Sequence, residues 1–262
     1  MMTQMAQYLD CHNHLGDRRL QSRVQALCRE AESAGVSHLL AAAAEVGDWL
    51  RLRQLPASSG TMRLCVCYGL HPWYAEQWTP EAEAELDRIL GSGAAAAVGE
   101  CGLDFQHGRA QAELQANVLR AQLRLAEKHQ LPIVLHVRKA WPEMLNILAD
   151  FPYLPGGICH NYSGSLDIAQ QLLPRNFLFS FGGDLTKDGY GKRKHIAANL
   201  PADTILTETD APDCPVQGKA PATGTPADVV AVTAALAALR HTTIPDLCQT
   251  IRANWQRLFP CK

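Results

Sequence analysis

The sequence predicts an α/β fold, a single (β/α)8 TIM barrel that occupies residues 1–262 as one domain. Short runs rich in Val, Ile, Leu and aromatic residues alternate with longer amphipathic stretches along the whole chain, which is typical of a parallel sheet covered by helices. Eight such runs occur in 262 residues, which matches the size of this barrel. No linker or break in composition favours a division into two domains.

The eight predicted strands are short apolar runs, several of which end in polar residues. They cover 8–15, 37–44, 63–71, 96–104, 132–138, 156–162, 176–183 and 204–211. Helices are predicted over 20–34, 46–57, 80–91, 110–129, 140–150, 165–173 and 190–199, with one or two more between 226 and 259. Within 110–129 the pattern is clearest, because apolar residues recur at helical spacing and form one face: Leu114, Val118, Leu119, Leu123 and Ala126.

The segment after the last predicted strand is the longest irregular stretch of the chain. Residues 210–228 are rich in Pro and Gly. Loops that follow barrel strands lie at the carboxyl end of the barrel, where active sites of this fold are found. We therefore expect this loop to overhang a functional site.

Composition and charge limit the class of protein. A hydrophobic content of 47% supports a sizeable core, and no apolar run approaches the roughly 18–20 residues of a membrane span. The N-terminus lacks the pattern of a secretory signal, and the nine cysteines are odd in number and scattered. We expect a cytoplasmic monomer with reduced thiols and no membrane segment. The net charge of −2 argues against a broad surface for duplex DNA, while a local nucleic-acid site stays open.

Ionisable residues fall at equivalent places near the ends of five predicted strands. Buried strands are normally apolar, so such residues need partners. Four imidazoles and two carboxylates suit two divalent ions, and a shared carboxylate would bridge them. Two such ions activate water and polarise a phosphoryl or carbonyl oxygen, which makes hydrolysis the expected reaction class. The six residues are His12, His14, Glu100, His136, His160 and Asp210.

Cys11 lies between two predicted strand residues that face the barrel interior. Since alternate residues of a strand point to opposite faces, inward His12 and His14 predict that Cys11 and Asn13 face the helices. The same parity predicts that Glu208, two residues before Asp210, faces the interior and orients a ligand histidine. Asp10 is expected to serve similarly below His12.

Seven motifs resemble those of the TatD-type metal-dependent deoxyribonucleases, a family within the amidohydrolase-like superfamily. They run nearly end to end in the family's order: "DCHNHL", "YGLHPWYA", "AVGECGLDF", "PIVLHVRKA", "CHNYSGS", "LTETDAPDCP" and "NWQRLFP". The resemblance implies that His12, His14, Glu100 and Asp210 surround one ion, and that Glu100, His136 and His160 surround the other. It also implies that Glu100 and Asp210 are the catalytic carboxylates, with Asp210 as the general base.

The resemblance implies a substrate as well: DNA, as a single strand or a 3′ end, hydrolysed by two divalent ions of Zn, Mg, Mn or Co. Details of "HNYSGSLDIAQQ" indicate the YjjV-like subgroup. Two departures lie near the mouth of the pocket. Gly16 stands where the family often has Asp, and Thr223 and Gly224 replace an expected basic and amide residue, so the substrate is less fixed than the metal ligands.

Other residues near the strand ends have two interpretations each. His71 is expected to contact the scissile phosphate or to cap the turn before Pro72, and Arg138 to grip a phosphate or to pair with a loop carboxylate. Trp73 and Tyr74 would stack on a base or pack in the loop. A basic run after the seventh strand would meet a nucleic-acid backbone or form a solvated helix face: Lys187, Lys192, Arg193 and Lys194.

Two further functions compete with a nuclease. The same barrel and ligands would hydrolyse a small amide, ester, lactone or phosphoester metabolite, because loops and not ligands set the substrate. A non-catalytic metal-binding protein is the third alternative, which the complete set of ligand residues disfavours.

Overall fold

Eight parallel strands form one sheet that curls into a nearly closed barrel in the computed structural model, which describes residues 7–56 and 58–259. Neighbouring strands pair in chain order, and a two-residue strand, Ser58–Ser59, pairs antiparallel with the strand Met62–Tyr68. This confirms the predicted (β/α)8 fold. The barrel strands are β1 Tyr8–Asn13, β2 Val36–Ala42, β3 Met62–Tyr68, β4 Ala97–Asp104, β5 Ile133–Arg138, β6 Gly157–Cys159, β7 Phe177–Phe181 and β8 Ile205–Thr207.

The first and last strands meet through hydrogen bonds that lie mostly beyond the end of β8. The backbone N–H of Asp210 donates to the carbonyl of His12 at 2.9 Å, and that of His14 donates to the carbonyl of Ala211 at 2.8 Å. Deeper in the barrel, the hydroxyl of Thr207 donates to the carbonyl of Leu9 at 2.8 Å. The seam between β1 and β8 is therefore held at the same end of the barrel as the predicted site.

Helices follow the strands and cover the outside of the barrel. Their cores agree with the predicted stretches, and most ends differ by a few residues. Residues 80–91 form a helix as predicted, because Thr79 caps it and Pro80 occupies its first turn. The end of the predicted helix 46–57 includes residue 57, which lies outside the described residues. The helices are α1 Val24–Ser33, α2 Val46–Arg53, α3 Pro80–Gly91, α4 Ala112–His129, α5 Trp141–Ala149, α6 Leu166–Leu172, α7 Gly191–Asn199, α8 Val229–Leu239 and α9 Ile244–Leu258.

The buried face of α4 differs from the predicted one. Leu114 is 37% exposed, whereas Gln115 and Gln122 are buried. Each glutamine side chain bonds both polar groups of one backbone residue: Gln115 those of Asp104 at the end of β4, and Gln122 those of Leu70 in the loop after β3. Burial of an amide costs little when its donors and acceptors are paired. Both glutamines can therefore lie on the inner face of α4, where the prediction has only apolar residues.

Within the described ranges, no single helix is long and apolar enough to cross a membrane. Residues 226–239 and 244–258 meet the criteria of length and composition only when taken together, across a bend of 105°.

Candidate metal centre

Glu100 lies at the centre of the six predicted ligands, and its two carboxylate oxygens face different histidines. Oε2 lies 3.2 Å from Nε2 of His12 and 3.4 Å from Nε2 of His14. Oε1 lies 2.9 Å from Nδ1 of His136 and 2.8 Å from Nε2 of His160. The carboxylate therefore sits between two pairs of imidazoles, as a bridging ligand would.

Gly102 lets β4 carry Glu100 close to β5. It has a φ of +154°, and a Cβ at this position would lie 1.9 Å from the carbonyl oxygen of His136. Any other residue would push the two strands apart. Gly102, the second glycine of "GECGLD", thus allows the close spacing between Glu100 and His136.

Asp210 completes the side of the centre that holds His12 and His14. Its Oδ1 lies 3.6 Å from Nε2 of His12 and 3.3 Å from Nε2 of His14. Its backbone has a φ of +56°, a conformation that is uncommon outside glycine and that occurs at functional sites when the surroundings enforce it. In this conformation its N–H donates to the carbonyl of His12 at 2.9 Å.

Three histidines are oriented by partners on the side of the ring that faces away from Glu100. Nδ1 of His14 lies 3.2 Å from the carbonyl oxygen of Ala42, so it is the donor of that pair. Nε2 of His136 donates to Oδ2 of Asp104 at 3.0 Å. Nδ1 of His160 lies 3.5 Å from Oε1 of Glu208. Such partners fix the ring orientation of metal-ligating histidines and leave the other nitrogen free to coordinate.

The charges of the centre hold its carboxylates ionised. Burial alone would raise the pKa of Glu100, but the charges of His160 and His12 outweigh it and hold that pKa well below its usual range. Burial would likewise raise the pKa of Asp210, and the hydrogen bond from His14 and the charge of His160 lower it instead. Burial would lower the pKa of His14, yet Asp210 and Glu100 raise it to about 9.

Buried polar atoms without hydrogen bonds converge at this point. Nε2 of His12 and Oε2 of Glu100 are both inaccessible to solvent and lie 3.2 Å apart, but neither makes a hydrogen bond within the described structure. An unpaired buried polar atom is costly and calls for a partner such as an ion. Imidazole nitrogens and carboxylate oxygens are also the donor set of Zn, Mn and Co sites. The residues present therefore fit divalent metal ions.

His71 joins the centre from the loop after β3. Its Nδ1 accepts the backbone N–H of Trp73 at 3.1 Å, which leaves the proton of the neutral ring on Nε2. That nitrogen lies 3.6 Å from Oε1 of Glu100. Burial and the charge of His136 hold the pKa of His71 well below its usual range, so the ring is neutral. His71 thus caps its loop, as one of the two interpretations has it, and also presents an N–H to the centre; its contact with a phosphate stays a prediction.

Arg138 lies on the rim and not among the clustered residues. Its side chain is exposed and makes no hydrogen bond or ion pair with the rest of the described chain, so the expected loop carboxylate is not its partner. The basic run after β7 is partly neutralised. Lys187 lies 3.4 Å from Asp184, and Arg193 bonds both Asp184 and Asn161.

The predicted orientation of Cys11 is wrong. Its thiol contacts Ser180, whose hydroxyl donates to Glu208, so Cys11 faces the interior below the centre. Between Asp10 and Asn13, β1 advances three residues while β2 advances two, from Leu39 to Ala41. This β-bulge inserts one residue and breaks the alternation on which the prediction rested.

Asp10 and Glu208 occupy places close to those expected. Glu208 is fully buried and lies against the ring of His160, as parity predicts. Asp10 accepts the backbone N–H of His12 at 3.3 Å and bonds Thr209, so it fixes the main chain of the ligand strand and not its imidazole ring.

Sequence reasoning missed Asp104 as a site residue. It is buried, and although burial would raise its pKa, hydrogen bonds from His136 and from the N–H of Gln106 lower that pKa to about 2. Asp104 is thus an ionised acceptor behind a candidate ligand. The signal that could have found it is an acidic residue at the end of the same predicted strand that carries Glu100.

A parallel barrel with this cluster of histidines and carboxylates at its carboxyl end defines a class, the metal-dependent hydrolases of the amidohydrolase-like superfamily. The family model described as TatD related DNase matches residues 9–260, and the chain belongs to that family.

Relatives agree with this membership. The chain is 29% identical over 257 residues to the uncharacterized metal-dependent hydrolase YjjV of Escherichia coli K12, covering 97% of this chain and 98% of that protein. It is 32% identical over 189 residues to the 3′-5′ ssDNA/RNA exonuclease TatD of Erwinia billingiae, covering 70% and 71%. The crystal structure of E. coli YjjV, a TatD homolog, superimposes with a TM-score of 0.91 at 28% identity, covering 99% of this chain and all of that one.

Proposed function

We propose that this protein hydrolyses phosphodiester bonds of DNA with two divalent metal ions, removing nucleotides from the 3′ end of a single strand. The observation that carries the proposal is the carboxylate of Glu100, whose two oxygens face two separate pairs of histidines. The relative named as a 3′-5′ ssDNA/RNA exonuclease supports the choice of substrate and polarity.

The proposed ligand sets follow the two faces of Glu100. His12, His14 and Asp210 would hold one ion with Oε2, and His136 and His160 would hold the other with Oε1. When bound, the ions, which we expect to be Zn, Mg, Mn or Co, supply Lewis-acid activation of water and of the phosphoryl group. Glu100 holds the two sets at one fixed spacing because β4 is buried along its length.

Asp210 is proposed to take the proton of the attacking water. Its side chain is 11% exposed, against 2% for Glu100, so of the two carboxylates it is the one that solvent reaches. It is ionised, and its Oδ1 is already positioned by His14. A carboxylate in this state can accept a proton during attack and release it to solvent afterwards.

His71 and Arg138 are proposed to bind the phosphate. The N–H on Nε2 of His71 points into the centre and would donate to a phosphoryl oxygen. Arg138 ends β5 two residues after His136, and its exposed guanidinium would neutralise the phosphate from the rim. Together they would place the scissile bond over the centre.

Labelled single-stranded DNA tests the proposal directly. Purified protein is incubated with Mg²⁺, Mn²⁺ or Co²⁺, and oligonucleotides labelled at the 5′ or 3′ end show the polarity. We expect stepwise shortening of the 5′-labelled strand from its 3′ end, and none for Asp210→Asn or after chelation. No shortening under any of these metals would overturn the proposal. A carbonyl substrate turned over orders of magnitude faster than any nucleotide would instead favour the metabolite hydrolase.

The proposal includes a monomer that acts in the cytoplasm. None of the eight described cysteines forms a disulfide, which is consistent with a reducing compartment. Light scattering after size-exclusion chromatography would test the monomer, which requires a mass near 28.7 kDa.

A further inference from the structure

Asp104 joins a candidate metal ligand to a tryptophan at the mouth of the site. Its Oδ2 accepts two N–H groups, Nε2 of His136 at 3.0 Å and Nε1 of Trp73 at 2.9 Å. Its Oδ1 accepts the backbone N–H of Gln106 at 2.8 Å. One buried carboxylate therefore fixes a side chain inside the centre and another at its edge.

Asp104 is itself held in place from the outer layer of the fold. Its N–H donates to Oε1 of Gln115 at 2.9 Å, and its carbonyl accepts from Nε2 of the same side chain at 3.2 Å. Gln115 is buried on α4. Helix α4 thus fixes the position of Asp104. Because Asp104 is fixed, the side chains of His136 and Trp73 that bond its carboxylate are fixed as well.

Trp73 combines a fixed edge with an exposed face. Its indole N–H bonds Asp104, its backbone N–H bonds His71, and its ring meets the imidazole of His71 edge to face at 4.9 Å. Even so, the residue is 56% exposed. Tyr74 differs, because it packs against the small apolar cluster that contains Leu70.

A half-exposed indole whose edge is held by Asp104 and whose ring contacts His71 is suited to binding a planar ligand. Holding the ring in advance removes the entropy cost of ordering it on binding. Nucleobases stack on such rings with little dependence on sequence, because every base has a π face. Trp73 also lies next to His71, which the proposed function assigns to the phosphate.

We propose that Trp73 is the stacking platform for the terminal base of the nucleic-acid substrate, and that Asp104 is a positioning residue that sets both Trp73 and His136. The inference rests on the proposed function, because the ligand it names is a nucleotide at a chain end. The inference adds a base-binding site beside the phosphate-binding groups. The carboxylate of Asp104 connects that site to the metal centre, because it bonds both Trp73 and His136.

Oligonucleotides that end in a normal or an abasic nucleotide test the platform. Each carries a 3′-terminal phosphorothioate, so equilibrium binding can be measured whether or not the chain is shortened. For Trp73→Ala we expect about tenfold weaker binding of the normal end and unchanged binding of the abasic end. Trp73→Phe keeps an aromatic ring and should retain most of the preference. Tyr153→Ala is the control, since Tyr153 is 77% exposed and makes no side-chain bond to the described part of the site.

Two outcomes would overturn the platform: equal losses on both ends for Trp73→Ala, or wild-type protein that does not distinguish them. If wild-type protein prefers the normal end but shortens no chain, the platform stands and the proposed hydrolysis fails. If it shortens chains while Trp73→Ala keeps the full preference, the hydrolysis stands and the platform fails.

Asp104→Asn tests the positioning role. Asparagine has one acceptor oxygen for the three N–H groups that the carboxylate accepts. We expect Mn²⁺ affinity, measured by calorimetry, to fall about 10- to 100-fold, and the preference for a normal end to fall as in Trp73→Ala. Asp167→Asn, on the exposed surface of α6, is the matched control. A variant that melts earlier but keeps wild-type Mn²⁺ affinity and base preference would show that Asp104 is merely structural.

Discussion

Asp210 and Glu100 are both carboxylates of the centre, but their surroundings suit them to different roles, general base and bridging ligand. Glu100 is enclosed by five imidazoles, two beside Oε2 and three beside Oε1. Asp210 contacts His12 and His14 through one oxygen and lies closer to solvent. A bridging ligand needs the first environment, and a base that exchanges protons with water needs the second.

Asp210→Asn is therefore expected to lower turnover far more than stability. A general base contributes about 10²- to 10⁴-fold, so kcat on single-stranded DNA should fall by that factor. The melting temperature should change little by comparison, because the backbone N–H still bonds His12 and asparagine keeps an oxygen that can accept from Nε2 of His14. Asp150→Asn, which alters an exposed carboxylate, is the control. If turnover survived in Asp210→Asn, Asp210 would not be the base.

Metal binding is expected to release protons. In the metal-free protein the pKa of His14 is raised to about 9 and that of His160 lies well above its usual range, so both rings hold protons near neutral pH. A metal must displace those protons, and its apparent affinity should rise as pH increases towards about 9. Calorimetric titration with Zn²⁺ at pH 7.5 in two buffers of different ionisation enthalpy measures the release. Identical heats in the two buffers would contradict it.

At the scale of elements, α4 supports the loops that follow two neighbouring strands. Gln115 and Gln122 are seven residues apart, so they lie on one face of the helix. Gln115 bonds the backbone of Asp104 at the end of β4, and Gln122 bonds the backbone of Leu70, one residue before His71. The helix thereby sets the depth of both loops relative to the barrel.

Gln122→Ala should weaken both the fold and the site. It leaves the buried N–H and carbonyl of Leu70 without partners, and a buried unpaired group costs about 1–3 kcal/mol of the free energy of unfolding. Because His71 follows Leu70, KM for the oligonucleotide should rise as well. Gln170→Ala, at an exposed position of α6, makes the same change without a buried amide. Urea denaturation and steady-state kinetics compare the two variants. Equal unfolding free energies would show that the bonds from Gln122 to Leu70 do not stabilise the fold.

For the molecule as a whole, the contact between β1 and β8 closes the barrel and aligns the first and last ligands. Asp10 is central to it, because its carboxylate accepts four donors, two from each strand region. They are the N–H of His12, the side-chain amide of Asn13, and the N–H and hydroxyl of Thr209. At the surface, Arg19 joins Asp17 to Asp213 and so ties the loop after β1 to the loop after β8.

Asp10→Asn is expected to loosen this closure. The NH2 group of asparagine would replace one carboxylate oxygen and cannot accept a hydrogen bond. At least one buried donor would then be unpaired, at a cost of about 1–3 kcal/mol of the free energy of unfolding. Metal affinity should fall with stability, since Asp10 bonds the backbone of His12, a proposed ligand, and that of Thr209, which precedes the proposed ligand Asp210. Chemical denaturation and Mn²⁺ titration measure the two effects, with Asp167→Asn as the exposed control. A variant as stable as the wild type would mean that the main-chain bonds alone close the barrel.

The sequence alone determined the barrel, its eight strands and the six polar residues at their ends. Those features depend on short-range periodicity and on residue type: a buried strand that ends in His or Glu is recognisable without its neighbours. Helix 80–91 was likewise determined by local signals, a threonine cap and a proline in the first turn. Seven motifs in the family's order, from "DCHNHL" to "NWQRLFP", then indicated the family.

Only the tertiary structure decided what depends on partners far away in the chain. The bulge in β1 turns Cys11 inward because of its register with β2, and Gln122 is buried on the inner face of α4 because the backbone of Leu70, 52 residues earlier, pairs its amide. Asp104 becomes part of the site through Trp73 and His136, which lie 31 and 32 residues away. Periodicity records which side of a strand or helix is buried on average, whereas hydrogen bonds between separate segments determine which buried polar groups are stable there.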